Sequence, residues 1–366
     1  MQYRQGTMLL VQKIWHNTEV NMAVYTTIND PSAHFQVNTY TGNGNNGKVI
    51  TNYGNSNLQP DFLWFKKRSN GSSRDHILVN STDGVTKNQR TPPSDPIYTN
   101  SNYVTAIGTD GFTLGNGAPV NEADDDFTCW QWKLAGGTTS DNNDGSITSA
   151  VQVNSTAGFS MGKYTPSGSS GTVGHGLGAT PDFVMQKGDA ASGWYGMFPN
   201  AEGGNKSSPI NSTNTFGTVS GLSSFNSSTF ANGNAAGTYI FWAWKNTQGY
   251  FQADRYNSNN NADGPFIYTG FRPALIAFKM NSGGTSWRWY DESRMGYNPD
   301  NRYVASNTSD METNQHSGNA EVHFLSNGFK LTEAEGDINY NTEQVLYAAW
   351  AASPFVTSTG VPTTTR

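Results

Sequence analysis

Short apolar runs closed by Gly, Asn, Ser or Asp recur along the chain, the pattern of strands joined by turns. Three of these runs return three times each, in the same order. The first begins at a proline and ends in lysine: Pro60-Asp61-Phe62-Leu63-Trp64-Phe65-Lys66, Pro181-Asp182-Phe183-Val184-Met185-Gln186-Lys187 and Pro273-Ala274-Leu275-Ile276-Ala277-Phe278-Lys279. The second leads into a turn: His76-Ile77-Leu78-Val79-Asn80, Trp194-Tyr195-Gly196-Met197-Phe198 and Trp287-Arg288-Trp289-Tyr290-Asp291. The third is built around tryptophan: Phe127-Thr128-Cys129-Trp130-Gln131-Trp132-Lys133, Tyr239-Ile240-Phe241-Trp242-Ala243-Trp244-Lys245 and Val345-Leu346-Tyr347-Ala348-Ala349-Trp350. An ordered set repeated in this way predicts one structural unit in three divergent copies.

Weaker elements fit the same frame. Asp110-Gly111-Phe112-Thr113-Leu114 matches Asn327-Gly328-Phe329-Lys330-Leu331, while the middle copy offers only Ser228-Thr229-Phe230. Opening hairpins begin at Tyr40, Tyr164 and, in degenerate form, Tyr256. Side chains alternate faces along a strand. In the tryptophan run, Trp130 and Trp132 therefore share one face, and Phe127, Cys129 and Gln131 the other. Both faces are largely apolar in all three copies, which predicts a central strand covered on both sides. Only one of those faces meets the opposing sheet of a sandwich, so the other is expected to meet a neighbouring copy. The expected fold is all-β: three tandem, divergent antiparallel β-sandwich repeats, jelly-roll-like, packed on one another. They span residues 23–140, 141–249 and 250–356, with an N-terminal extension over 1–22 and a C-terminal tail over 357–366. The extension, with its interrupted apolar stretch Met8–Trp15 and no small-residue cleavage site, is expected to be poorly ordered or to precede the true start.

Composition narrows the function. Charged residues are 14% of the chain and aromatics 13%, enough bulky surface for several cores and unlike a disordered chain. The net charge of −6, without a basic stripe, argues against nucleic acid as a partner. No apolar run is long enough to insert in a membrane. One cysteine, Cys129, excludes an intrachain disulfide and reads as a buried thiol in an apolar strand.

Candidate chemistry is sparse, and no catalytic, cofactor-binding or metal-binding residue is assigned. Gly42-Asn43-Gly44-Asn45-Asn46-Gly47 spells the dinucleotide fingerprint, but the following Val49-Ile50-Thr51 has no helical period, so a hairpin loop is expected. Glu122 with Asp124, Asp125 and Asp126, and Glu333, Glu335 and Asp337 in the third copy, are the acids able to cleave a glycan or gather calcium. The middle copy has Asn232, Gly233 and Asn234 there, and the twelve-residue calcium spacing is missing, so solvated loop acids are expected. The histidines His16, His34, His76, His175, His316 and His323 form no zinc pattern. His175, in a glycine-flanked turn, is expected to serve backbone or packing, and Arg74-Asp75-His76 lacks a serine elbow to complete a triad. Trp194, Trp287 and Trp289 would suit sugar stacking if exposed, although core placement is the expectation for tryptophans in repeated strands.

Four strings, Thr156-Ala157-Gly158-Phe159-Ser160, Gly174-His175-Gly176-Leu177-Gly178-Ala179-Thr180-Pro181-Asp182, Asp263-Gly264-Pro265-Phe266-Ile267-Tyr268-Thr269-Gly270-Phe271-Arg272-Pro273 and Phe324-Leu325-Ser326-Asn327-Gly328-Phe329-Lys330-Leu331, together with Tyr347-Ala348-Ala349-Trp350-Ala351 before Pro354-Phe355, carry a resemblance. They resemble virion and tail-associated structural proteins of bacteriophages, marine podoviruses especially, over residues 23–356. The first copy departs most, with Asn57-Leu58-Gln59 in place of the His-Gly-Leu-Gly string. The resemblance implies a non-enzymatic virion component of tail-fibre, knob or surface-decorating type. Its implied partners are other virion proteins and further copies of itself in a symmetric homo-oligomer, with no cofactor. The alternatives are a host-attachment module that binds a surface carbohydrate, and an enzyme that degrades capsule or lipopolysaccharide.

Overall fold

The structure, a computed structural model, describes residues 25–69, 71–233, 235–314, 322–334 and 336–363. The N-terminal extension, His16, His316, Glu335 and Asn234 lie outside the described residues, as do residues 364–366 of the expected tail.

The architecture is all-β and antiparallel. Three six-stranded sheets draw their strands from residues 35–132, 140–244 and 251–354. In each, the tryptophan strand lies between an opening strand and the proline-led strand, and the aromatic strand follows on the far side. The tryptophan strands are Asp126–Trp132, Tyr239–Trp244 and Gln344–Pro354. Their opening partners are Phe35–Thr41, Phe159–Tyr164 and Phe251–Asn257. The proline-led strands are Phe62–Lys67, Phe183–Gly188 and Phe271–Met280. Register is the same throughout: Tyr40 faces Phe127, Tyr164 faces Tyr239, and Tyr256 faces Val345.

Each large sheet faces a three-stranded sheet centred on the turn-Phe element: Gly111–Leu114, Thr229–Asn232 and Gly328–Leu331. The middle copy's weak string thus occupies the same place as its clearer neighbours, and Phe112, Phe230 and Phe329 are all buried. In the first unit Cys129, Leu63, Phe65, Ile77 and Val79 pack against Ile50, Phe112 and Leu114 across the sandwich. Their strand neighbours Trp130, Trp132, Phe62 and Trp64 point the other way, into a cluster that also contains Trp242, Trp244, Trp289 and Trp350. The two-faced apolar strand therefore does separate a sandwich core from an inter-unit core.

At the centre the equivalent residues of the three tryptophan strands meet one another. The Trp132, Trp244 and Trp350 rings form a near-equilateral triangle, with centroids 6.0, 5.6 and 5.5 Å apart. Each packs on the first residue of its opening strand: Phe35 at 5.0 Å, Phe159 at 4.5 Å and Phe251 at 5.2 Å.

The Pro-Asp pair that leads two of the proline strands also has a definite task. Asp61 accepts hydrogen bonds from Leu134 N (2.6 Å), Gly136 N (3.1 Å), Gly137 N (2.8 Å) and Ser81 Oγ (2.6 Å). Asp182 accepts from Asn246 N at 2.5 Å and Asn200 Nδ2 at 2.7 Å. Each carboxylate thus holds the chain where it leaves one unit for the next. The third unit has Ala274 there. Asp61→Ala should lower stability by about 2 kcal/mol, because it leaves the buried Leu134 amide and the part-buried Gly137 amide without the carboxylate they now bond. Amide exchange at residues 134–137 should accelerate in step; unchanged exchange there would contradict this role.

The sheets differ at their edges. The first and third extend beyond the aromatic strand, whereas the second adds Ser140–Asn142 and Ser149–Asn154 at the opposite edge. Among the described residues no helix is long and apolar enough to cross a membrane.

Candidate functional site

The repeated lysine that ends each proline-led strand is buried in every copy: Lys66, Lys187 and Lys279 are each 0% exposed. An ammonium is not left unpaired in such a place, and backbone carbonyls surround all three. Lys66 Nζ donates to Arg74 O (2.6 Å) and, across the junction with the third unit, to Ser309 O (2.7 Å). Lys279 Nζ donates to Thr285 O and, in the second unit, to Thr213 O (3.0 Å). Lys187 Nζ donates to Ser192 O (2.8 Å) and Ala190 O (3.2 Å), in a loop whose Ser192 N reaches Ser94 O of the first unit at 3.0 Å. Burial lowers Lys66 to a pKa of about 7 and Lys187 and Lys279 to about 8, opposed in part by nearby Asp75 and Asp310, Asp189, and Asp337 respectively.

Opposite each lysine, the first residue of the aromatic signature sends a ring N–H into the neighbouring unit. Trp194 Nε1 donates to Arg90 O at 3.1 Å, and Trp287 Nε1 to Pro209 O at 3.0 Å. His76 takes the same part in the first copy. Its Nδ1 accepts from Trp64 Nε1 at 2.9 Å, so Nε2 carries the proton and faces Ala305 O at 3.0 Å. Burial holds its pKa well below the ordinary value of 6.5. The first unit thus reaches the third, the third the second, and the second the first. This is a closed head-to-tail ring of the kind that heterologous contacts form in oligomers, here completed within one chain.

The junction of the first and third units adds a buried charge network. Asp291 Oδ2 accepts from Trp130 Nε1 (2.9 Å) and pairs with Arg294 Nε (2.7 Å), both side chains being fully buried. Arg68 meets Glu312 at 2.8 Å, and Arg302 meets it at 3.2 Å. Asp300, nearby and buried, is raised to a pKa of about 7, chiefly by desolvation and despite Arg294.

The acids do not stand as expected. Asp125 is 5% exposed and pairs with Lys67, which also binds Glu122 at 2.9 Å; Arg74 meets Glu122 at 3.2 Å. Two of the supposed solvated acids thus neutralise a buried lysine, and the Lys67 and Arg74 contacts hold the Glu122 carboxyl below its usual range. Asp126 bonds Thr41 Oγ1 at 2.9 Å, while Asp124 is exposed. Asp337 pairs with Arg288 at 3.0 Å. The structural counterpart of Asp125 in the third unit is Glu343: Gly42 N bonds Asp125 O at 2.7 Å, and Ser258 N bonds Glu343 O at 2.8 Å. Sequence reasoning matched the wrong acids because the preceding loops differ in length.

The remaining candidates are structural. Trp194, Trp287 and Trp289 are 1%, 0% and 0% exposed, so none offers a face to a sugar, and a binding test through Trp287→Ala would only excavate the core. His175 is buried, accepts from Leu177 N at 3.2 Å and faces Asn226 O at 3.0 Å. Cys129 is buried, which pushes its thiol pKa up and makes it a poor nucleophile. The Gly42–Gly47 segment is a loop followed by the strand Lys48–Thr51, not a helix, so the geometry a pyrophosphate needs is missing. Among the described residues no group of three or more His, Cys, Asp or Glu side chains could hold a metal ion.

Comparison with known proteins gives a family and no function. No curated protein matches the chain, and no solved structure does. The profile of a domain of unknown function, DUF7483, matches residues 30–354, from just before the first opening strand to the end of the last tryptophan strand. The chain is a member of the DUF7483 family.

Proposed function

We propose that the chain is a non-enzymatic structural protein of a bacteriophage virion, of tail-fibre, knob or surface-decorating type, acting as a stiff spacer or adhesion module. The supporting observation is the closed ring of junctions: three sandwiches share one aromatic core, and each sends a caged lysine, a ring N–H or both into its neighbour. Such a body resists shear between its units, because separating any pair exposes tryptophan, and opening the first–third or third–second junction also takes a carbonyl from a buried ammonium. Asn-, Gly- and Ser-rich loops present hydrogen-bonding groups outward. The phage assignment itself rests on the sequence strings. Its partners in this reading are other virion proteins and further copies of itself.

Mass spectrometry of gradient-purified virions tests the proposal. The expected result is recovery of tryptic peptides from all three units at a stable copy number per particle. Repeated absence from purified particles, with the protein present in the infected-cell lysate, would overturn it.

A further inference from the structure

The third unit has a hollow where the first has an ion pair. In the first unit the residue after the caged lysine is Lys67, whose ammonium holds Asp125 and Glu122. In the third unit that residue is Met280, and the counterpart of Asp125 is Glu343, so no lysine comes from this strand position to fill the space. An open hollow of about 350 Å³ remains, lined by Met280, Ser282, Thr285, Asp337, Tyr340 and Glu343 among others. Its size falls within the range of about 300–1,000 Å³ typical of small-molecule pockets.

The lining has a particular chemistry. Tyr340 is 50% exposed and supplies an aromatic wall. Asp337 is fixed from behind, its Oδ2 accepting from Ser286 N and Arg288 Nε at 3.0 Å each. Thr285 Oγ1 is buried at the edge of the hollow and has no hydrogen-bond partner among the described residues. Asn341 and Thr342, beside Tyr340, hold left-handed backbone angles (φ 56° and 55°), an uncommon conformation and a strained one for a β-branched threonine.

We propose that this hollow binds a neutral or amino sugar. A pyranose has an apolar C–H face, which suits the tyrosine ring, and an edge of hydroxyls, which suits two carboxylates and an orphaned threonine hydroxyl. Phosphorylated, sulfated and uronic-acid ligands are disfavoured, because among the described residues the lining carries two carboxylates and no lysine or arginine, and the cations just behind it, Arg288 and Lys279, are already held by Asp337 and by backbone carbonyls. This assigns to one asymmetric position the carbohydrate recognition that the buried tryptophans cannot perform. It does not rest on virion placement: a virion spacer without a sugar site, and a sugar binder outside virions, are distinguishable results.

The test uses the full chain and four probes, the methyl glycosides of glucose, galactose, N-acetylglucosamine and glucuronic acid, titrated by NMR or calorimetry. At least one of the first three should bind, with glucuronate weaker by tenfold or more. Tyr340→Ala should weaken that binding at least tenfold. Met280→Lys, which rebuilds the ion pair of the first unit, should abolish it while the thermal transition is retained. No binding by any neutral or amino glycoside, preference for glucuronate, or binding indifferent to both substitutions would overturn the proposal.

Discussion

Trp244→Ala will lower the stability of the whole molecule by about 3–5 kcal/mol, the usual result of emptying a large aromatic site in a packed core. The side chain is 0% exposed and stacks on Phe159 at 4.5 Å and Phe183 at 5.5 Å. It also forms one corner of the central triangle, 6.0 Å from Trp132 and 5.6 Å from Trp350. The cavity would therefore open where all three units meet and weaken every junction at once. Denaturant unfolding should remain a single transition, with a lower midpoint and little change in slope. Trp132→Ala and Trp350→Ala should behave alike, and any double variant should cost less than the sum of its parts, since the rings are in contact. Separate transitions for different units, or a loss confined to peptides of the second unit in hydrogen exchange, would show that the units fold independently and that the shared core contributes little.

That core was largely legible in the chain. Alternation along Phe127–Trp132 and its two counterparts announced a strand covered on both faces, and the structure puts Cys129 in the sandwich and Trp130 and Trp132 between units. What the pattern could not announce was where the polar groups go. Lys66, Lys187 and Lys279 repeat faithfully, yet a lysine closing a strand reads as a solvated end. The carbonyls that cage Lys66 and Lys279 include Ser309 and Thr213, distant in sequence and carried by irregular backbone without side-chain signature. Asp125 read as a solvated acid for a similar reason, its partner Lys67 lying in another strand. The equivalence of His76 with Trp194 and Trp287 was visible only as position. Their common chemistry, a ring N–H aimed at a neighbouring carbonyl, needed three dimensions. The hollow at Met280 was hidden in the same way, because it depends on which acid is the counterpart of Asp125.

The caged lysines predict an unusual pH dependence. A free lysine titrates near 10.4, whereas Lys66 lies at about 7 and Lys187 and Lys279 at about 8 in the folded chain, with burial the largest cause. Between about pH 8 and 10 the unfolded chain therefore binds more protons than the folded one, and stability rises with pH. Carbonyl acceptors favour the ammonium and temper the effect, so the gain should be on the order of 1 kcal/mol per lysine. Above about pH 10 the trend reverses, because burial pushes the Tyr250 and Tyr256 hydroxyls up and their unfolded counterparts ionise first. Lys279→Met isolates one contribution. It keeps an apolar stem of similar length but leaves Thr213 O and Thr285 O without their donor. At pH 7, where the wild type must hold a buried cation, the variant should lose less stability than at pH 9.5, where the wild type holds a neutral amine. Denaturation midpoints at the two pH values measure the difference. An equal loss at both would mean that the carbonyl cage satisfies the ammonium completely, leaving Lys279 with an ordinary pKa.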